Sequence, residues 1–429
     1  MLETYLPVPN VVWSDDAFVV EAADRPVDTE PARLARMAGR FAVAQHRGDT
    51  VMLARDRYGL KLYFAIDAAR GVVAANYIAD LITAGIPLDG IYGAPAGAVT
   101  AIDLRRRTIE LHRYHHLPTA AGGDPSPRET LAAARERLSR SLRAITTAYP
   151  SATVAVCLSG GLDSALVAAL AREHVAELVA YTYAFDDGTG DFGPDAAGGQ
   201  RLANWLGIRH RPVIADANGI FLALPRALRH GQDWRDFNVH CAIVNELLAE
   251  AIAADTTSAN RPVFVLTGDL MNEVLGDYTP VTYRGMRHYA LPDIGPDLMR
   301  VSLVRGLQCG DREVGVFSTR QLVALQPYAQ ICDDLLRLPS SLAKPTVIQS
   351  LAGDLLPPWV YGRPKARAQV GGPTVRNGIL PLLVDSGRLG SQLEYDFCAA
   401  IGCATSPRLT RYVRAGLYRF PHQYPLEDV

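Results

Sequence analysis

The stretch that decides the fold is TVAVCLSGGLDS (Thr153–Ser164), in which an apolar run ends at a pair of glycines. Residues 153–158 are typical of a buried parallel strand, because such a strand is apolar on both faces. Two adjacent glycines let the backbone turn sharply and approach a ligand closely. The helix predicted at residues 165–173 would present its N-terminal amides to an anion. The stretch therefore predicts a phosphate-binding turn.

Polar side chains complete this turn. Ser159 and Ser164 add hydroxyl donors. Asp163 would repel a bare phosphate, so its presence indicates an intervening Mg²⁺ ion. The turn is not the GxxxxGK[ST] loop, because it lacks the lysine and the longer turn. A plain strand-to-helix turn is the alternative, and the full string of six residues after an apolar strand argues against it.

Strands and helices alternate around this turn. Further apolar runs of strand length lie at residues 178–185, 208–214 and 262–266. Runs with helical spacing lie at residues 128–147, 165–173, 195–206 and 240–254. The alternation predicts an α/β domain with a mainly parallel sheet. From about residue 295 onward the pattern is mostly helical, with a proline-rich interruption at residues 356–367.

The first 118 residues have a different pattern. Short alternating runs lie at residues 41–45, 50–54, 62–65, 71–75 and 98–102. They predict antiparallel sheet, with a few helices such as residues 31–37. Residues 119–127 (TAAGGDPSP) are small and flexible, which is typical of a linker. We therefore predict an N-terminal domain at residues 1–118, a linker at 119–127 and a second domain at 128–429.

The composition argues against several classes of protein. Apolar residues make up 48% of the 429 residues and charged residues 21%, as in a globular protein. The net charge of −2, without a long basic stripe, argues against nucleic-acid binding. No apolar run reaches the roughly 18 residues of a membrane span, and the N-terminus does not resemble a signal peptide. None of the six cysteines forms a CxxC pair, so we expect no zinc site but reduced thiols in a cytoplasmic protein.

The lysines are few. Of 43 basic residues only Lys61, Lys344 and Lys365 are lysines. Biased codon usage is one explanation for such a high arginine content. Under such a bias, a surviving lysine is a candidate for a function that needs a compact ammonium rather than a planar guanidinium.

The SGGLDS string after an apolar strand is the signature of the ATP pyrophosphatase (PP-loop) enzymes, and the chain resembles the asparagine synthetase and β-lactam synthetase family in particular. Residues 39–42, 53–61, 75–81 and 95–97 resemble the family's N-terminal glutaminase domain. Residues 266–278, 311–317, 344 and 356–365 resemble its later blocks. The resemblance implies an α+β sandwich of the glutaminase (Ntn) type, followed by a PP-loop α/β synthetase domain with a parallel sheet and a helical C-terminal part. It also implies cleavage of ATP between the α- and β-phosphates, with Mg²⁺.

The resemblance also implies the residues of the site. The nucleotide-binding residues would be Leu158, Ser159, Gly160, Gly161, Asp163, Ser164 and Gly268, and the metal ligands Asp163 and Asn272. Lys344 and Lys365 would contact the phosphates, and Lys365 could also stabilise the oxyanion of the second step. Glu313, with Asp269, is the candidate proton acceptor for the amine. Helix capping or pairing with arginine is the alternative for these two carboxylates.

The chain departs from the family in two places. The family's glutaminase uses an N-terminal cysteine, whereas Leu2 follows Met1 here and the first cysteine is Cys157. A leucine cannot attack an amide, so we expect a truncated, scaffold-like domain without glutamine hydrolysis. Asn272 replaces the family's metal-binding aspartate. Either Asp163 and the phosphates then hold the metal alone, or Glu273 or Asp269 takes over.

Taken together, the sequence predicts an ATP-dependent ligase that adenylates a small carboxylic acid, releases pyrophosphate and transfers the acyl group to an amine. The product would be a small specialised metabolite. The alternatives are an ammonia-dependent amidating enzyme, another PP-loop transferase, or a non-catalytic nucleotide-binding protein. The sequence does not identify the acid or the amine, and it leaves open whether both belong to one molecule and whether the protein is a homodimer.

Overall fold

The structure is a computed structural model that describes residues 1–14, 17–21, 28–119, 125–256, 261–290, 294–306, 311–365, 367–370 and 378–403. The side chains of residues 236, 305, 306 and 311–314 are outside this description. Most of the predicted linker at 119–127 also lies outside it, so the domain boundaries stay a prediction.

The N-terminal part is built mainly from short strands. They are β1 (Leu2–Tyr5), β2 (Asn10–Ser14), β3 (Ala17–Glu21), β4 (Ala38–Arg40), β5 (Ala42–Arg47), β6 (Thr50–Arg55), β7 (Tyr63–Asp67), β8 (Gly71–Ala75), β9 (Tyr92–Gly93), β10 (Ala98–Asp103) and β11 (Thr108–Arg113). Its helices are α1 (Pro31–Leu34), α2 (Ile78–Thr83) and a 3-10 turn at Leu88–Gly90.

Two four-stranded sheets of this part pack face to face. Their strand orders are β1-β8-β7-β9 and β11-β10-β6-β5, and a third sheet has the order β3-β2-β4. Leu53 on β6, Phe64 on β7 and Val72 on β8 share one buried cluster, so side chains of both four-stranded sheets fill the space between them. The expected N-terminal sandwich is confirmed.

The second part alternates strands and helices. Its strands are β12 (Thr153–Cys157), β13 (Leu178–Phe185), β14 (Arg209–Ala215), β15 (Val263–Leu266), β16 (Val281–Tyr283), β17 (Met286–His288) and β18 (Val323–Leu325). Its helices up to residue 318 are α3 (Pro127–Ala148), α4 (Leu162–Arg172), α5 (Gly193–Leu206), α6 (Ala217–Gly231), α7 (Asp236–Thr256), α8 (Met271–Leu275), α9 (Pro296–Gly306) and α10 (Asp311–Ser318). The later ones are α11 (Cys332–Leu336), α12 (Lys344–Ala352), α13 (Pro358–Tyr361), α14 (Ile379–Asp385) and α15 (Ser391–Ile401), with 3-10 turns at Pro327–Gln330, Gly353–Leu355 and Ala368–Val370.

Five of these strands form a parallel sheet in the order β14-β13-β12-β15-β18. Counted along the chain, the order is third, second, first, fourth, fifth, so the direction of winding reverses between β12 and β15. In open α/β sheets, ligands bind outside the carboxyl ends of the strands at such a reversal. The turn after β12 and the segment after β15 both lie at this point, and the predicted parallel-sheet domain is confirmed.

The two faces of the parallel sheet pack against different helices. Val154 and Val156 of β12 join the buried cluster that contains α4, whereas Ala155 joins the cluster that contains α6 and α7. This alternation follows from the period of two along a strand. Within α7, Phe237–Thr256 is long and apolar enough to cross a membrane by length and composition, and half of its most apolar window is buried in the fold. A core helix of a globular protein can have the same length and composition, so this feature is weak evidence of a membrane span.

The two parts share a buried core. The cluster around α6 and α7 also contains Ile78 of α2 and Val73 of β8. Lys61 is fully buried and donates to the main-chain carbonyl of His230 on α6, and its ammonium lies 5.5 Å from the centre of the Tyr77 ring. Lys61 therefore has a structural contact between the two parts.

The structure differs from the sequence-based pattern at several elements. Helix α4 begins at Leu162, three residues earlier than predicted, so the phosphate turn is shorter. Helix α6 was missed; it contains Pro225 and glycines that are unfavourable inside helices. Strand β18 was missed because three residues carry too little periodicity.

Candidate functional site

The turn between β12 and α4 is held by its two serines. Ser164 Oγ accepts from the Ser159 amide at 3.1 Å and donates to the Gly161 carbonyl at 3.3 Å. Ser159 Oγ accepts from the Gly161 amide at 3.3 Å. Gly161 is the N-cap of α4, so the amides of the next residues point out of the helix end, where an anion is favoured.

Two glycines bring helix α5 against this turn. Gly160 has a φ of +70°, and a Cβ placed on it would lie 2.4 Å from the carbonyl carbon of Gly198. A Cβ on Gly198 would lie 2.5 Å from Nη1 of Arg363. Only glycine allows this approach, so three separate segments of chain meet at the turn.

Arg363 ties these segments together. Its guanidinium donates to the Ser159 carbonyl at 3.1 Å, to the Pro194 carbonyl at 2.5 Å and to Asp195 Oδ1 at 3.0 Å. Burial raises the pKa of Asp195 to about 6, although Arg363 acts in the opposite direction. At neutral pH the carboxylate is therefore ionised and paired with Arg363, which fixes the turn against the first turn of α5.

Replacing Arg363 with lysine should weaken nucleotide binding by roughly tenfold or more, because one ammonium cannot reach all three acceptors in the geometry of the planar fork. The loss of charge-assisted hydrogen bonds should also lower the free energy of unfolding by about 1.5–3 kcal/mol. Calorimetric titration with ATP and denaturant unfolding measure the two effects. Arg201→Lys is the matched control, since the Arg201 guanidinium lies 4.1 Å from the centre of the Trp359 ring. Equal ATP affinity of the two variants would contradict this role.

Two lysine ammonium groups lie together beside the phosphate turn, and one of them pairs with its acidic residue. Lys344 Nζ lies 2.5 Å from Asp163 Oδ2 and 2.6 Å from Asn272 Oδ1. It also lies 3.1 Å from Asp277 Oδ2. Lys365 Nζ lies 2.7 Å from the same Asp277 oxygen and 3.3 Å from Asn272 Oδ1. Residues far apart in sequence thus form one compact group of charges beside the phosphate turn.

Burial and charge act against each other in this group. Burial raises the pKa of Asp163, although Lys344 lowers it. Burial works against the charge of Lys344, but Asp163 and Asp277 outweigh it and raise the Lys344 pKa. The Lys365 pKa is lowered by burial and by the neighbouring Lys344. The repulsion between the two ammonium groups favours any additional anion placed between them, as phosphate oxygens would be.

The segment after β15 forms the other side of the turn. A Cβ on Gly268 would lie 2.8 Å from the Ser164 amide nitrogen, so the two segments touch through their main chains. Leu270 has a φ of +85°, which is strained for a residue with a side chain. The buried Glu273 accepts a hydrogen bond from the Tyr278 hydroxyl.

A cavity of about 690 Å³ lies over these residues. One side carries the charged groups described above. The lining also includes uncharged residues from one face of α7, two tyrosines of β13 and the two residues that follow Arg367. These uncharged lining residues are Tyr181, Tyr183, Phe237, Cys241, Val244, Asn245, Leu248, Ala368 and Gln369. The volume is in the range of ordinary small-molecule sites, which combine apolar walls with a few polar groups.

The structure brings together most of the predicted site residues. Those lining the cavity are Leu158, Ser159, Gly161, Asp163, Ser164, Gly268, Asp269, Asn272, Lys344 and Lys365. Gly160 lies in the same turn against α5. Glu313 is on helix α10, and its side chain lies outside the described residues, so its role stays a prediction.

Sequence reasoning missed several members of the site. Arg363 and Asp195 were not singled out, nor was Tyr328, whose hydroxyl donates to the Asp163 carbonyl at 2.7 Å. Asp277 was also missed, although it lies inside the block around Asn272. Its charged side chain, next to Gly276 and inside that block, is the signal that could have revealed it.

The residues present fit a divalent cation bound together with phosphates. Oδ1 of Asp163 is buried and has no hydrogen-bond partner in the described part of the chain. Among the described residues, no group of three or more His, Cys, Asp or Glu side chains forms a metal site by itself. Mg²⁺ is commonly held by one or two carboxylates plus substrate phosphates, which is the set this site offers.

Known proteins resemble this chain over parts of its length. Residues 133–314 match the model of the asparagine synthase family. The chain is 31% identical over 262 residues to a carboxyethyl-arginine beta-lactam-synthase from Streptomyces clavuligerus. That alignment covers 58% of this chain and 48% of the relative, so it spans about half the length of the relative.

Solved structures with partial likeness include an NH3-dependent NAD synthetase from Campylobacter jejuni, with 20% identity and a TM-score of 0.25 over 35% of this chain and 61% of that one. An NMN synthetase from Francisella tularensis has 19% identity and a TM-score of 0.26 over 53% of this chain and 92% of that one. The strand order β14-β13-β12-β15-β18 defines the fold of the second part. The match of residues 133–314 to the asparagine synthase family and the similarity to the beta-lactam-synthase support the assignment of this part of the chain to the asparagine synthetase and β-lactam synthetase family.

Proposed function

We propose that this protein is an ATP-dependent carbon–nitrogen ligase that forms AMP and pyrophosphate. It would activate a small carboxylic acid as its adenylate and pass the acyl group to an amine. The observation that carries the proposal is the grouping of Lys344 and Lys365 around Asp277 and Asn272. Lys344 also pairs with Asp163, in the first turn of the helix that follows the phosphate turn. Fixed cations at this place would neutralise the charge that develops on a leaving pyrophosphate.

In the first step, a carboxylate oxygen of the substrate attacks the α-phosphorus of ATP. The bond from that phosphorus to the bridging oxygen breaks, and pyrophosphate leaves. Amides and hydroxyls of residues 159–164 would position the phosphates. Lys344 and Lys365 would stabilise the growing negative charge, which lowers the barrier because they are held in place before the reaction. Mg²⁺, when bound, would add charge neutralisation at the phosphates, with Asp163 and Asn272 among the residues that hold it.

In the second step, the amine nitrogen attacks the acyl carbon, AMP leaves, and the nitrogen loses a proton. A protonated amine is not a nucleophile, so a proton acceptor is needed. Asp269 lines the cavity and is a candidate, together with the predicted Glu313. The uncharged residues of α7 that line the cavity would contact the body of the acid.

Exchange between ATP and labelled pyrophosphate tests this function directly. A panel of small carboxylic acids, with and without an amine in the same molecule, should contain acids that drive the exchange and yield AMP. Formation of ADP and phosphate instead would contradict the proposal. Failure to bind ATP with Mg²⁺ by calorimetry, together with no exchange on the whole panel, would favour a non-catalytic protein.

The 429-residue chain should release no glutamate from glutamine, because no cysteine precedes Cys157. The N-terminal sandwich would then act as a scaffold or docking surface. The measurement is glutamate release from glutamine, compared with amide formation from ammonium. Glutamate release coupled to ATP consumption would contradict this expectation. Product formation with ammonium as the amine source would favour the alternative, an ammonia-dependent amidating enzyme.

A further inference from the structure

Asp277 occupies a position that joins both lysines. Its Oδ2 lies 3.1 Å from Lys344 Nζ and 2.7 Å from Lys365 Nζ, and its main-chain carbonyl accepts from Lys365 at 2.5 Å. It follows the C-cap Gly276, whose φ of +64° ends helix α8 one turn after Asn272. The turn at the end of α8 therefore returns the Asp277 carboxylate to the lysine that Asn272 also contacts.

The oxygen atoms around the Lys344 ammonium form a site that binds a cation. Three oxygens surround it, one each from Asp163, Asn272 and Asp277, at 2.5, 2.6 and 3.1 Å. Two of the three carry negative charge, and the second oxygen of Asp163 is buried without a partner among the described residues. Carboxylate and amide oxygens are also the ligands that Mg²⁺ and Mn²⁺ prefer. The group that holds an ammonium here thus matches the donor set of a divalent cation.

We propose that Asp277 supplies the second carboxylate of the divalent-cation site, in place of the charge that Asn272 lacks. The cation would be held by Asp163 and Asp277, with Asn272 as a neutral oxygen ligand and the nucleotide phosphates completing the set. This rests on the proposed function, because the phosphates are those of ATP. When they bind, phosphate oxygens replace the protein oxygens as acceptors for the Lys344 ammonium, and the three oxygens become available to the metal.

Glu273, which the sequence suggested as a replacement metal ligand, makes a different contact. Glu273 is adjacent to Asn272 but buried, and it accepts a hydrogen bond from Tyr278. Asp277, in contrast, is in direct contact with the lysine that bridges to Asp163. With a carboxylate at position 277 instead of 272, the site contains two carboxylates and two ammonium groups.

Binding of Mn²⁺ tests this ligand set without any turnover. Electron paramagnetic resonance reports free Mn²⁺ in the presence of a saturating ATP analogue with a methylene bridge between the α- and β-phosphates. Asp277→Asn should weaken Mn²⁺ binding by roughly tenfold or more. The double variant Asn272→Asp with Asp277→Asn should return to within about threefold of the original affinity, because the charge is restored on the other ligand. Asp297→Asn, an exposed carboxylate outside the site, is the matched control.

A second variant guards against misfolding of Asp277→Asn. Asn272→Asp in the otherwise unchanged chain should tighten Mn²⁺ binding by about tenfold if positions 272 and 277 face the same ion. Unchanged Mn²⁺ affinity in a folded Asp277→Asn protein, or no gain from Asn272→Asp, would overturn the assignment.

The two proposals fail in different ways. Loss of Mn²⁺ binding in Asp277→Asn, with no pyrophosphate exchange on any acid, would leave the ligand set standing and remove the ligase activity. Robust pyrophosphate exchange by the original protein, together with unchanged Mn²⁺ affinity in Asp277→Asn, would support the ligase activity and remove Asp277 from the ligand set.

Discussion

Lys365→Ala is expected to lower kcat by about 10²–10³-fold, the cost typical of removing one preorganised stabiliser of transition-state charge. The fold should hardly change, because the Lys365 side chain is 36% exposed and Asp277 keeps its contact with Lys344. The measurement is AMP formation with an acid identified by exchange, together with the thermal midpoint of unfolding. KM for ATP should change less than kcat, since the charge on the leaving pyrophosphate develops in the transition state.

Lys365→Arg should also be poor, because a planar guanidinium does not replace a point charge between Asn272 and Asp277. Arg284→Ala is the control for removing a cation, since Arg284 pairs with Asp385 and is 62% exposed. Near-normal kcat in Lys365→Ala would refute the assigned role. A large fall in the thermal midpoint would instead show that Lys365 is structural.

Gly160→Ala should abolish measurable nucleotide binding. The new Cβ would lie 2.4 Å from the Gly198 carbonyl carbon and 2.7 Å from the Gly199 nitrogen, so turn and helix α5 must separate. The φ of +70° adds a backbone cost of about 1–3 kcal/mol for a residue with a side chain. Calorimetric titration with ATP and denaturant unfolding would show both effects.

Gly48→Ala is the matched control for this substitution. Gly48 has a φ of +61°, but a Cβ placed on it meets nothing within 4 Å. It therefore carries the backbone cost without the clash, and ATP affinity should stay at the original value. If Gly160→Ala behaved like Gly48→Ala, the contact between turn and α5 would have no role in binding.

The phosphate turn and the parallel strands β12, β13 and β15 could be predicted because their signals are local. An apolar run bounded by glycines identifies a buried strand within a dozen residues, and the SGGLDS string identifies the phosphate turn at its end. The strand order could not be obtained in this way. It depends on β18, whose three residues pair with β15 across a long insertion and have no periodicity of their own.

The candidate site was predictable where a residue type alone has chemical meaning. Lys344 and Lys365 were found because lysine is rare in this chain and because the family resemblance assigns both to the phosphates. The structure places both in one group with Asp163. Asp277 and Arg363 were not found, because one aspartate among many, or one of 40 arginines, gains its meaning only from contacts made by folding. Such contacts are long-range, and a single sequence carries no record of them.

The buried cluster that joins α2 and β8 to α6 and α7 makes each part of the chain depend on the other for its core. If this chain hydrolyses no glutamine, its N-terminal part would still be needed for stability, because its side chains fill a core shared with α6 and α7. Removal of the N-terminal part would expose the apolar residues of α6 and α7 in this cluster to water. It would also empty the space that the buried Lys61 side chain fills. Heat should therefore melt both halves in one cooperative transition, and a calorimetric trace with two separate peaks would show that either half can stand alone.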